Sequence, residues 1–240
     1  MSLAISREHK SPNFNRRENI KLLDTIIIHY TGMKNAELAL NYLCNKKSKV
    51  SAHYFINEDG KIWQIVDDVN TAWHAGVSKW LNRKNLNDTS IGIELVNPGH
   101  EHGYKIFNIN QYKSLEKLIA VLLKKYDIKK DRVLGHSDIS PSRKLDPGEK
   151  FDWRRLAKKD LAIWPNEIFN IPKGLNSDQL LYNLLFKIGY DVKNHFQPSL
   201  VAFKRHFIQN DIDKDEDKSE LVINIAYSVY KAFTKVRSLY

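Results

Sequence analysis

Cysteine occurs once in the 240 residues, at Cys44. No disulfide can therefore form within the chain, and a two-cysteine metal site is excluded. No apolar run approaches the roughly 18 residues that a membrane-spanning helix needs. The best stretches, 25–28 and 118–123, are short or flanked by charge. Residues 1–20 lack the apolar segment of a secretory leader. With 7 prolines and 10 glycines there is neither a collagen-like period nor a low-complexity tract, and no internal repeat is visible. What is there is an ordinary globular balance, 42% apolar and 28% charged. Its 38 Lys+Arg against 28 Asp+Glu leave a formal +10. That surplus suits a polyanionic partner. The basic residues are scattered, however, and form no stripe interleaved with aromatics, so a nucleic-acid partner is not expected.

The β-branched run at 25–30 reads as a buried strand with His29 at its C-terminal end. Residues 36–43 have helical spacing. Runs at 52–57 and 61–66 flank Glu58-Asp59-Gly60, a hairpin signal. Residues 90–96 form another strand, with Glu94 among apolar neighbours, and 111–126 carry one apolar stripe at helical period. A short strand at 132–135, a loop at 137–150 and a helix at 153–161 complete an α/β pattern with a mixed sheet. Residues 163–176 hold two prolines and a glycine without a period, which marks a boundary. Beyond it, 178–188, 198–209 and 220–236 are helical. The expected layout is residues 1–165, a linker at 166–176 and a small all-helical unit at 177–240, with 1–170 separable from the tail.

Nine histidines must be sorted. His9, His100 and His102 lie in polar stretches and read as surface residues. His195 and His206 sit in the tail without a partner at ligand spacing. His29 and His136 each close an apolar strand, which fits either a satisfied structural histidine or the edge of a cleft. Ten residues after His136, a proline-stiffened loop presents Lys144 and Asp146. Asp146 is either a turn former or the third ligand of a site with His29 and His136. Two histidines and a carboxylate, with one position open, is the donor set of a hydrolytic zinc site. Glu94 then reads either as half of an ion pair or as a general base whose pKa burial has raised. Lys144 could stabilise an oxyanion. Asp211-Ile212-Asp213-Lys214-Asp215 opens like a calcium loop, but Glu216 replaces the required glycine and Val222 the final glutamate. It reads as an acidic solvated loop. The tryptophans read as core or rim, with sugar stacking open to Trp73 and Trp80.

At these residues the chain resembles the zinc-dependent type 2 N-acetylmuramoyl-L-alanine amidases, the AmpD/AmiD group related to phage lysozymes and peptidoglycan recognition proteins. The matching segments are I-I-I-H-Y-T (26–31), S-A-H-Y-F-I (51–56), D-G-K-I-W-Q (59–64), A-W-H-A-G (72–76), S-I-G-I-E-L (90–95) and G-H-S-D-I-S-P-S-R-K-L-D-P-G (135–148). S-P-N-F-N-R-R (11–17) resembles the opening segment of that group. The resemblance implies a mixed central sheet flanked by helices. It also implies one zinc ion per chain on His29, His136 and Asp146, with Glu94 as catalytic glutamate and Lys144 stabilising the intermediate. His53, Tyr54, Trp73, His74, Asn97 and Arg143 match residues near the cleft and are candidate substrate contacts. The implied reaction is hydrolysis of the amide between N-acetylmuramic acid, including its 1,6-anhydro form, and L-alanine, in peptidoglycan or its fragments.

The tail, through 180–191 and 199–207, resembles a three-helix peptidoglycan-binding module. No obligate protein partner is evident. A non-catalytic peptidoglycan-binding protein of the same fold would have lost a ligand or the glutamate, and none is lost. A zinc peptidase acting on the stem peptide shares the donor set but not the motifs. The polar N-terminus points to a cytoplasmic enzyme; a periplasmic one is the alternative if a leader is missing from the sequence.

Overall fold

The β-branched run Thr25–Tyr30 is an interior strand of a five-stranded sheet, where both of its faces are covered. The structure is a computed structural model and describes residues 3–171, 177–209 and 220–238. Nine strands occur among these: β1 (Phe14–Arg16), β2 (Thr25–Tyr30), β3 (Tyr54–Ile56), β4 (Ile62–Gln64), β5 (Asn70–Ala72), β6 (Lys79–Trp80), β7 (Arg83–Lys84), β8 (Ser90–Leu95) and β9 (Val133–Gly135). The main sheet runs β4-β3-β8-β2-β9. Only the β3–β4 hairpin is antiparallel; β3–β8, β8–β2 and β2–β9 are parallel. The helices are α1 (Ala36–Leu43), α2 (Ile109–Tyr126), α3 (His136–Ile139), α4 (Trp153–Ala157), α5 (Ser177–Ile188), α6 (Val192–Phe207) and α7 (Glu220–Arg237).

The alternation of side chains along each strand divides the core into layers. Ile26 and Ile28 of β2, with Ile91, Ile93 and Leu95 of β8, point to the face covered by the stripe Leu115, Leu118, Ile119 and Leu122 of α2. A capping box starts that helix: Asn108 Oδ1 accepts from the Asn110 N–H, and Gln111 Oε1 accepts from the Asn108 N–H. Ile27 and Leu134 point to the opposite face, into a second cluster. There they meet Trp80, Leu86 and Ile139, together with Leu185 and Ile188 of α5, Phe203 of α6 and Phe233 of α7.

The boundary at 163–176 thus separates two kinds of secondary structure but not two cores. Trp80 shows why. It is 1% exposed, its ring packs edge-to-face on Tyr190 with the ring centres 4.9 Å apart, and a Cβ on Gly189 would lie 2.6 Å from it. It is an interior anchor for the tail and is not available for sugar stacking. Trp80→Ala is expected to cost about 3–5 kcal/mol, the usual range for emptying a large aromatic site. Urea denaturation of the full chain measures it.

Two expectations need adjustment. The second tail helix begins at Val192 rather than 198, and it breaks at His195 (φ −145°, ψ 57°). Pro198 then falls in the first turn after the break, where it removes no helical hydrogen bond. The helix expected over 153–161 ends at Ala157. Part of the expected linker (172–176) and the acidic loop 211–215 lie outside the described residues.

Candidate metal centre and active site

Parallel strands that end together leave a crevice beyond their carboxyl ends. His29 is the penultimate residue of β2, His136 follows β9 directly, and Glu94 sits across from His29 in the β2–β8 register. His29 and Glu94 both lie one residue out of step with the α2-facing isoleucines, so they share the opposite face. A cavity of about 590 Å³ opens there, lined by His29, His74, Glu94, His136, Lys144 and Asp146.

Three donor atoms converge on its floor. His29 Nδ1 lies 2.9 Å from Asp146 Oδ2, His136 Nδ1 lies 3.0 Å from the same oxygen, and the two Nδ1 atoms are 3.0 Å apart. All three residues are buried. The loop from His136 to Asp146 is closed on itself by the Ser137 N–H donating to the Asp146 carbonyl at 2.9 Å.

Outer hydrogen bonds decide which ring nitrogens carry protons. His136 Nε2 faces the carbonyl of Ala75 at 3.1 Å, so it must donate, which leaves Nδ1 with a lone pair. The hydroxyl of Ser90 donates to the Leu86 carbonyl, and its oxygen accepts from His74 Nε2 at 3.3 Å. His74 Nδ1 is then the acceptor for His29 Nε2 at 3.1 Å, and His29 Nδ1 is bare as well. Two lone pairs and a carboxylate oxygen are aimed at one point, an arrangement that a cation satisfies. The triad could hold a metal ion.

The electrostatics agree. Burial, reinforced by His136, pushes the His29 pKa down to about 4, so its imidazole is neutral at pH 7. Burial opposes ionisation of Asp146, but the imidazoles of His136 and His29 hold its carboxyl well below the usual carboxylate range. Burial raises the Glu94 carboxyl well above its ordinary value, Asp146 adds to the rise, and Lys144 counters it. Glu94 Oε2 is buried without a hydrogen-bond partner among the described residues. Among the described residues it forms no ion pair. An uncompensated carboxyl in this position is costly and calls for a chemical reason.

Of the six candidate contacts, Trp73, His74 and Arg143 line the cavity. His53, Tyr54 and Asn97 do not. His53 Nδ1 accepts from the Gly92 N–H at 3.0 Å behind the site, and Tyr54 donates to Asp68 at 2.8 Å. Asn97 is fully buried; its Nδ2 donates to the Lys105 carbonyl at 2.7 Å and its Oδ1 accepts from the Gly99 N–H, holding the loop that follows β8.

His100 and His102 are exposed, as read from the sequence, and stand on the cavity rim. His100 bridges Tyr30 Oη at 2.9 Å and Glu149 Oε2 at 3.0 Å. Ser90 and its part in orienting His74 carried no signal in the sequence. Gly92 is a signal that could have been read: a Cβ there would fall 2.4 Å from the His74 ring. Gly92→Ala should therefore push His74 off His29 and weaken metal binding by about tenfold or more, which titration against a chromophoric chelator would detect.

A carboxyl beside two imidazoles and a carboxylate, at the open ends of parallel strands, has the donor set of a metal-dependent hydrolase. The sequence model of the N-acetylmuramoyl-L-alanine amidases matches residues 19–149. AmiD of Escherichia coli K12 is 35% identical over 209 residues, 77% of this chain and 75% of its own. AmpD of Haemophilus influenzae, a 1,6-anhydro-N-acetylmuramyl-L-alanine amidase, is 37% identical over 167 residues, 62% of this chain and 89% of its own. The solved complex of E. coli AmiD with anhydro-N-acetylmuramic acid-L-Ala-D-γ-Glu-L-Lys superposes with a TM-score of 0.75 at 31% identity, covering 88% of this chain and 89% of that one. The chain belongs to the N-acetylmuramoyl-L-alanine amidase family, and it is an enzyme of that activity.

Proposed function

We propose that this amidase uses one zinc ion, held by His29 Nδ1, His136 Nδ1 and Asp146 Oδ2, to cleave muropeptides that include the 1,6-anhydro form. The observation that carries the reading is the convergence of three unprotonated donor atoms beside an unpartnered Glu94. Bound there, zinc supplies a Lewis acid that polarises the scissile carbonyl and makes a water easier to deprotonate. Glu94 takes the proton of the attacking water, since its raised pKa brings its basicity closer to neutral. It then delivers the proton to the leaving nitrogen of L-alanine. Lys144, half-buried on the cavity wall, donates to the oxyanion that forms on the lactyl carbonyl.

Trp73 and Arg143 form the wall against which sugar or stem peptide lies. Arg143 is held in place by donating to the carbonyls of Ala75 and Val77. The anhydro substrate is supported by the E. coli AmiD complex and by the activity named for H. influenzae AmpD. Residues 1–165 form the catalytic part in this reading, and the helical unit 177–240 adds affinity for the wall polymer, which the +10 charge favours.

No helix among the described residues is long and apolar enough to cross a membrane. A cytoplasmic site of action is proposed from the AmpD side of the family, with the periplasm as the alternative. Fractionation of the native host tests it, and a periplasmic pool of full-length enzyme would reverse the choice. The activity is tested by mass spectrometry of products from anhydro-muropeptides and from intact sacculi, run side by side. Release of the intact stem peptide with a free L-alanine amine is expected. Cleavage within the stem would identify a peptidase instead.

A further inference from the structure

Asp138 lies two residues after the proposed ligand His136 and is 1% exposed. Its carboxylate is used up by three donors. Oδ2 accepts from the Gly135 N–H at 2.7 Å, which ties the carboxylate to the residue immediately before His136. The other two donors come from the tail. Tyr190 Oη donates to Oδ1 at 2.7 Å, and His206 Nδ1 donates to Oδ2 at 2.8 Å. Tyr190 belongs to the connection between α5 and α6, and His206 lies at the end of α6. Neither residue lines the cavity.

The packing around this contact leaves little slack. The His206 ring stacks on Trp153 at 3.8 Å, with 17° between the planes. Trp153 in turn crowds Gly135, where a Cβ would meet it at 3.3 Å and Pro147 at 2.8 Å. Pro147 follows Asp146 directly. Both donor-bearing segments, the turn at His136 and the loop at Asp146, thus rest on one arrangement of Gly135, Asp138, Trp153 and His206. Because the carboxylate is buried, losing a donor leaves it under-satisfied, and the turn can respond only by shifting.

We infer that Tyr190 and His206 are positioning residues for the hydrolytic site: the helical tail holds the His136 turn through Asp138 and so sets metal affinity and turnover, whatever it binds outside. The inference rests on the reading of His136 as a metal ligand. A tail that served the wall polymer alone would need no buried hydroxyl and imidazole spent on a carboxylate beside the centre.

The test uses the full-length chain and four variants: Tyr190→Phe, His206→Leu, the double variant, and His206→Asn, whose amide can restore a donor at the Nδ1 position. Zinc affinity is measured by competition with a chromophoric chelator, and kcat and KM on a soluble muropeptide. The double variant is expected to bind zinc about tenfold more weakly and to lose kcat with KM little changed, by analogy with the cost of removing outer-layer partners of a metal site. His206→Asn is expected to recover most of the affinity lost in His206→Leu.

Zinc affinity equal to the wild type in Tyr190→Phe and His206→Leu would overturn the inference, even if their metal-free forms melt earlier. So would failure of His206→Asn to recover affinity relative to His206→Leu. If the wild type itself binds no zinc, it is the assignment of the metal centre that fails, and that outcome is separate from the first two.

Discussion

Glu94→Gln, loaded with zinc, is expected to hydrolyse a soluble muropeptide at least about a hundredfold more slowly than the wild type, with KM nearly unchanged. General acid–base catalysis contributes roughly 10²–10⁴ in rate. The substitution keeps the side chain's shape and removes its ability to accept a proton. Because Glu94 Oε2 has no hydrogen-bond partner among the described residues, the neutral amide forfeits no protein contact at that atom. The fold should therefore be preserved, and zinc content should stay at one per chain. Stopped-time product assays with metal analysis on the same sample decide it. A variant that loses its zinc along with its activity would move Glu94 from proton transfer to metal binding.

Removing the metal should have the larger effect. Chelation is expected to abolish hydrolysis and added zinc to restore it, and His29→Ala should be inactive and unable to retain zinc. Full activity of metal-free protein would refute the assignment. The metal-free enzyme should also be sensitive to acid. Burial holds both His29 and His53 at a pKa of about 4, against 6.5 for a free imidazole. Between these values the unfolded chain binds more protons than the native one, so native stability rises with pH. The contribution is complete above pH 6.5 and is lost as pH falls toward 4. Thermal melts of chelated protein across that interval should show a falling midpoint.

Local pattern made much of this legible. Four consecutive β-branched residues, Thr25 to Ile28, announced β2, the Asp59-Gly60 turn announced the β3–β4 hairpin, and the stripe of α2 was plain. His29 and His136 could be placed because a strand end is a local feature. Spacing alone could not decide whether Asp146 is a turn residue or a candidate ligand; the segment resemblance was needed. What stayed hidden depends on contacts distant in sequence. His206 seemed to lack a partner because its partner, Asp138, is 68 residues away. Trp80 looked like a candidate for sugar stacking because nothing near it in sequence reveals that Tyr190 and Gly189 will close over it. His100 is exposed, as its polar neighbours suggest, but they say nothing of its bridge between Tyr30 and Glu149 on the cavity rim. Periodicity reports the burial of a face, not the element that buries it.

For anyone transplanting the proposed site to another scaffold, the pleat imposes a parity rule. Glu94 is paired laterally with His29 on one side and Phe55 on the other, so β8 has no free edge along which to adjust. Inserting one residue between Ser90 and Glu94 would swing the carboxylate under α2 and put an isoleucine into the cavity, whereas an even insertion would keep the face and change only the depth. Within β2 and β8 the spacing behaves as a digital setting, either right or inverted.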